Sequence, residues 1–116
     1  MIEVCYNNRH GAFELSQAAY RYLANLGYKQ AQKVIDGKLS RDNFKISRHH
    51  PFLVKCVKAL GSRVNDNEYS RIMISQVNSD RYIIDDEFGW EKVLSPKDIK
   101  WIVPNANPVR EGSSKE

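Results

Sequence analysis

Apolar residues recur along this chain with two different periods, and the change falls near its middle. The opening Ile2-Glu3-Val4-Cys5-Tyr6 alternates apolar and polar positions, the period of a short strand. Asn7-Asn8-Arg9-His10-Gly11 ends it, since Asn and Gly tolerate turn conformations that β-branched residues resist. Ser16 then suits a helix N-cap, with Leu15 before it and Tyr20 after it placed to form a hydrophobic staple. Ala19, Tyr22, Leu23 and Leu26 make one apolar stripe, and Gly27 suits the left-handed stop. A shorter helix is predicted from Lys29 to Asp36, with Ala31, Val34 and Ile35 inward and Gly37 as its stop. Lys38 to His50 is polar and basic, an exposed connection anchored by Leu39, Phe44 and Ile46. Pro51 fits the first position of a third helix, where its missing N–H costs nothing. Leu53, Cys56, Val57 and Leu60 repeat the helical stripe, and Val64 continues it past Gly61.

Beyond that point the period falls to two. Ile72 and Ile74 alternate with Arg71, Met73 and Ser75, Asn78-Ser79-Asp80 is a turn cluster, and Arg81-Tyr82-Ile83-Ile84 is β-rich. These two runs suggest a hairpin. A turn at Glu87-Phe88-Gly89 leads to a further strand over Trp90-Glu91-Lys92-Val93-Leu94. Ser95-Pro96 starts a short turn, and Trp101-Ile102-Val103 is a candidate last edge strand. The expected fold is α+β: a small mixed or antiparallel sheet of four to five strands with three helices packed on one face. Residues 1–103 would form a single domain, and the Asn-, Pro-, Gly- and Ser-rich 104–116 a disordered tail.

Composition narrows the function classes. The chain has 116 residues, 41% apolar and 28% charged, ordinary for one soluble domain with its own core. Its start lacks the basic and apolar regions of a secretory signal, and no apolar run approaches the roughly 18 residues that span a bilayer. Cys5 and Cys56 lie far apart without metal-ligand spacing, so a reducing cytoplasm is the expected setting. Net charge is +4 but uneven: residues 1–66 carry eleven Lys and Arg against five Asp and Glu, and residues 67–116 seven against nine. One face can thus attract acidic partners while the other cannot.

Three sets of residues are candidate binding sites. The basic stretch from Lys38 to Lys58 includes Arg41, Lys45, Arg48, His49, Lys55 and Lys58, with Phe44 as an aromatic that a base could stack on. Phosphates favour such a stretch through charge and counterion release; a solvated loop followed by the wet face of a helix has the same composition. The loop Asn7, Asn8, Arg9 and His10 stands at the carboxyl end of a strand, where α/β proteins hold ligands, but it lacks any dinucleotide or phosphate-loop glycine pattern. A structural turn accounts for it better. Asp85, Asp86 and Glu87, with Glu91 near, fit no calcium loop, and an acidic turn that a basic partner could contact suits them better. His10, His49 and His50 have no metal spacing, and Cys56 falls in an apolar stripe as an inert core thiol. No catalytic residues, metal site or cofactor are expected.

Three segments together carry a resemblance. Tyr6-Asn7 followed by Gly11-Ala12-Phe13-Glu14-Leu15-Ser16 resembles a "YGGFGLS" opening after a first strand. Arg48-His49-His50-Pro51-Phe52-Leu53-Val54, leading to Ala59-Leu60-Gly61, resembles an "R-x-D-P-x-L-V…E-L-G" helix start. Ile84-Asp85-Asp86-Glu87-Phe88-Gly89-Trp90-Glu91 resembles an "I-E-E-Y-D-G-x-E" turn. This ordered set is similar to a group of small accessory proteins of tailed bacteriophages and some large DNA viruses. Ala12 and Glu14 stand where that pattern has glycines, and His50 where it has an aspartate. The resemblance implies a non-enzymatic protein in the host cytoplasm that binds a host protein or ribonucleoprotein. In size and charge the chain is also similar to phage products that modify a host aminoacyl-tRNA synthetase, the valyl enzyme, and contact its tRNA. The alternatives are a direct nucleic-acid-binding module, through the basic stretch, and a small-ligand or nucleotide sponge, through the Asn7–Gly11 loop.

Overall fold

The computed structural model describes residues 1–100 together with 102 and 104. Three α-helices occupy the first half, and a glycine follows each of them. Helix α1 spans Gln17–Asn25, and the Ser16 hydroxyl caps it by accepting the Ala19 N–H at 3.2 Å. Leu15 and Tyr20 are both buried in the core, as the staple requires, and Gly27 leaves the helix at φ 100°. Helix α2 spans Lys29–Ile35, buries Ala31, and is followed by Gly37 at φ 74°. Helix α3 spans Pro51–Leu60, with the His50 ring nitrogen accepting the Phe52 N–H at 3.0 Å. Its apolar stripe buries Leu53, Val54, Cys56 and Val57. Gly61 at φ 58° breaks the helix, and a 3₁₀ turn over Gly61–Val64 brings Val64 into the same core.

Strand β1, Ile2–Asn7, pairs antiparallel with β2, Ile72–Val77, from Ile2 opposite Val77 to Asn7 opposite Ile72. Cys5, Ile72 and Ile74 share one face of this ribbon and join the helical core. The opposite face buries Val4 and Val77. Strand β3, Ile83–Glu87, pairs antiparallel with β4, Trp90–Leu94, and β4 packs against both strands of the ribbon.

Two expectations need correction. The described strands form two two-stranded sheets, not one sheet of four to five strands. The open edge of β1 explains the break: the Cys5 N–H donates to the Arg48 carbonyl at 2.8 Å, and the Asn7 N–H donates to the Glu91 carboxylate at 2.8 Å. Both donors are thus satisfied without a third strand. Nor do β2 and β3 make a hairpin. Phe88 and Gly89 take φ of 53° and 85°, the paired positive values of a two-residue hairpin turn, so β3 closes on β4. The ribbon meanwhile pairs β2 with the distant β1, which lets both strands bury their apolar face on the helices. The candidate strand at Trp101–Val103 and the tail lie, but for 102 and 104, outside the described residues; Ile102 is 91% exposed.

Candidate protein-docking surface

The basic stretch is divided among separate internal contacts. Arg41 donates to Asp66 at 3.0 Å and to Gln17 at 3.2 Å, with its guanidinium 5.0 Å over the Tyr20 ring. Lys58 pairs with Glu3 at 2.8 Å. His49 meets the Tyr82 hydroxyl at 2.6 Å and Ser47 at 3.1 Å. Only Lys45 and Lys55, of the five Lys and Arg singled out in that stretch, have no ion-pair partner among the described residues.

Arg48 is the most committed of the set. It grips Glu91 with two bonds, of 2.6 and 3.0 Å, and its guanidinium lies 3.7 Å over the Phe13 ring. Glu91 is buried, 5% exposed, and also accepts the Asn7 N–H. Asn7 is fully buried; its amide donates to the carbonyls of Arg9 and Gly89 at 2.8 Å each, and its Oδ1 accepts the Arg71 N–H at 2.7 Å. A buried polar network is stable only when each member is paired, and this one is. The network ties the first-strand loop, the start of α3 and β4 together. Asn7, Arg48 and Glu91 therefore hold the fold and are spent as ligand groups. Glu91 faces inward and does not join Asp85, Asp86 and Glu87 as a cation site.

The other two candidate sets converge at one end of the molecule. The Trp90 indole N–H donates to Asn8 Oδ1 at 3.1 Å, and the His10 ring stands edge-on to Trp90 with centroids 4.7 Å apart. The Asn8 amide points at the Met73 sulfur, 3.3 Å away, and the Gly11 N–H donates to the Phe88 carbonyl at 3.3 Å. The backbones here pass too closely for any side chain. A Cβ on Gly89 would fall 1.7 Å from the Gly11 carbonyl oxygen, and one on Gly11 would fall 2.1 Å from that of Tyr69. The Asn7–Gly11 loop, the Tyr69 segment and the hairpin tip are in this way locked into one rigid platform.

That platform is rich in exposed apolar side chains: Phe88 is 85% exposed, Tyr69 62%, Trp90 42% and Met73 41%. Aromatic residues and Met are the types enriched where proteins bind one another. Beside them run Asp85, Asp86 and Glu87 on β3, all exposed. Asp86 accepts the Gly89 N–H at 2.8 Å, whereas Asp85 and Glu87 have no ion-pair partner among the described residues. Tyr69, Met73, Phe88 and Trp90 were not among the candidate residues of the sequence. One signal for them was present: a phenylalanine at a turn position that favours Asn, Asp or Gly.

The described residues offer little for catalysis or metal binding. Ser47 touches His49, but the Tyr82 hydroxyl competes for the same ring nitrogen and no carboxylate orients the ring, as nucleophile activation requires. No group of three His, Cys, Asp or Glu among the described residues is placed to hold a metal ion. Cys5 and Cys56 are buried, and burial pushes their thiols up to about 12 and about 11, so both stay protonated at neutral pH. A helix long and apolar enough to cross a membrane is also lacking among them. Compared with protein-family models, curated proteins and solved structures, the chain finds no match.

Proposed function

We propose that this is a non-enzymatic docking protein, a viral accessory protein acting in the cytoplasm of an infected bacterium, that binds a host protein through the platform of Tyr69, Met73, Phe88 and Trp90. One observation carries the reading: Phe88, 85% exposed, is held at φ 53° on a turn that a phenylalanine disfavours. Folding alone gains nothing from that side chain, and a partner that covers it does. The acidic run Asp85–Glu87 beside it suits a partner with basic side chains around an aliphatic centre. The similarity in size and charge to phage modifiers of a host aminoacyl-tRNA synthetase makes the valyl enzyme the named candidate for that partner. The alternative, a nucleic-acid-binding module, keeps Lys45 and Lys55 as phosphate contacts.

The test is capture from bacterial lysate with wild type and with Phe88→Ala and Trp90→Ala, each with and without nuclease. The expected result is one host protein that survives nuclease and is bound at least tenfold more weakly by both variants, each truncation costing about 2 kcal/mol or more. Retention of the same protein by both variants would sink the platform reading. Recovery that vanishes with nuclease would put the nucleic-acid reading in its place.

A further inference from the structure

Among the described residues, strand β3 has one edge occupied and one open. A two-residue turn makes Glu87 and Trp90 the closing hydrogen-bonded pair, so Ile83, Asp85 and Glu87 exchange N–H···O bonds with β4. The N–H and C=O of Ile84 and Asp86 must then point to the other side. Among the described residues no strand pairs there and no backbone group bonds to them. At the start of this strand lies a groove of about 530 Å³, lined by Ile2, His49, Tyr82, Ile83 and Ile84 and by the Asp80–Arg81 pair. Ile83 is 49% exposed within it.

Proteins usually blunt such an edge with Lys, Pro, a bulge or a covering segment. Between Ile83 and Glu87 there is no Lys and no Pro, and the strand pairs without a bulge. Its charges are all of one sign, Asp85, Asp86 and Glu87. A second copy of the chain is thereby disfavoured, because two such strands side by side would set carboxylate near carboxylate. A strand bearing Lys or Arg meets the opposite situation. Main-chain bonds to the open edge would supply affinity, the carboxylates would select the cations, and the groove at the start of the strand would take an aliphatic side chain at one end of the segment.

We infer that the open edge of β3 accepts an extended segment of the partner protein, with lysine or arginine alternating with aliphatic residues, as a third strand of the β3–β4 sheet. The inference rests on the docking function proposed above and names the chemistry of its partner.

The probe is a fluorescent hexapeptide of alternating lysine and valine, titrated into the full chain by anisotropy, with an alternating glutamate–valine peptide as control. Amide exchange at Ile84 and Asp86 is followed by NMR with and without peptide. Proline at position 84 removes an outward N–H while leaving the ladder to β4 intact, since only the edge side loses a donor. Binding of the lysine peptide alone, slower exchange at Ile84 and Asp86, and an affinity at least tenfold lower in Ile84→Pro are expected. Asp85→Lys/Glu87→Lys, which changes only exposed side chains, should reverse the preference to the glutamate peptide. If Ile84→Pro melts early, this charge-reversed pair decides in its place. No anisotropy change up to about 1 mM peptide, which corresponds to only about −4 kcal/mol, would overturn the inference, as would binding that leaves both amides unprotected. Host capture separates it from the reading beneath it. Capture lost in Phe88→Ala but intact in Ile84→Pro removes strand addition and leaves docking; capture intact in both removes docking and the inference together.

Discussion

On the β3–β4 hairpin, Glu91 and Asp85 differ in surroundings far more than in chemistry. Glu91 is 5% exposed, clamped by both nitrogens of Arg48 and bonded to the Asn7 N–H. Asp85 is exposed, with no ion-pair partner among the described residues. The first carboxylate has lost its water and must be fully paired, because an unpaired charge there costs several kcal/mol. The second keeps its water and its freedom, so its charge remains available to an outside partner. A hairpin can therefore be anchored by one acid and present others, with burial deciding which does which.

Removing Glu91 breaks the comparison hardest. In Glu91→Ala the Arg48 guanidinium, whose side chain is only 25% exposed, loses its counter-charge, and the Asn7 N–H loses its acceptor. The expected destabilisation is about 3–5 kcal/mol, which for a chain of this size lowers the melting temperature by roughly 10–25 °C. Asp85→Ala should shift stability by less than about 0.5 kcal/mol. Equal effects in thermal melts would show that the two acids do not differ as described.

The thiols sharpen the buried side of the comparison through pH. Burial, opposed in part by nearby Arg48, raises Cys5 from 9.0 to about 12, and burial raises Cys56 from 9.0 to about 11. Above pH 9 the unfolded chain releases both thiol protons while the folded chain keeps them. Fewer protons are then bound unfolded than folded, so stability falls as pH rises, and this contribution is lost between about pH 9 and pH 12. Urea midpoints measured from pH 7 to 10.5 should hold below pH 9 and decline above it. A thiol reagent at pH 8 should label the native chain only through opening, and faster in Glu91→Ala. Rapid labelling of the wild type would show that the core beside Arg48 is not closed.

Much of the helical half was legible because its signals are local. Ser16, Gly27, Gly37 and Pro51 act within a few residues of where they stand, and each marks the helix boundary its chemistry predicts. Strand pairing is different. The partner of β1 lies some seventy residues away, and nothing near Ile72 announces it, so the Asn78-Ser79-Asp80 turn suggested the wrong neighbour. The site was legible in halves. The Asn7–His10 loop and the acidic run were both singled out, but their meeting at Trp90 depends on Asn7, Arg48 and Glu91 finding one another across the fold. Arg48 looked like surface charge because a sequence shows the charge and not the carboxylate waiting for it.

One small expected change in stability has the opposite sign and carries the most about function. Phe88 sits at φ 53°, a conformation that favours Asn or Gly, and its ring is 85% exposed. Phe88→Asn should therefore raise stability by about 0.5–1 kcal/mol, since the new residue suits the turn and no buried contact is lost. The same substitution should weaken capture of the proposed host partner at least tenfold. Gain in one property with loss in the other is the mark of a residue kept at a cost to folding for what it binds. If Phe88→Asn instead lowers the melting temperature and leaves capture unchanged, the ring is a packing residue after all, and the platform loses its centre.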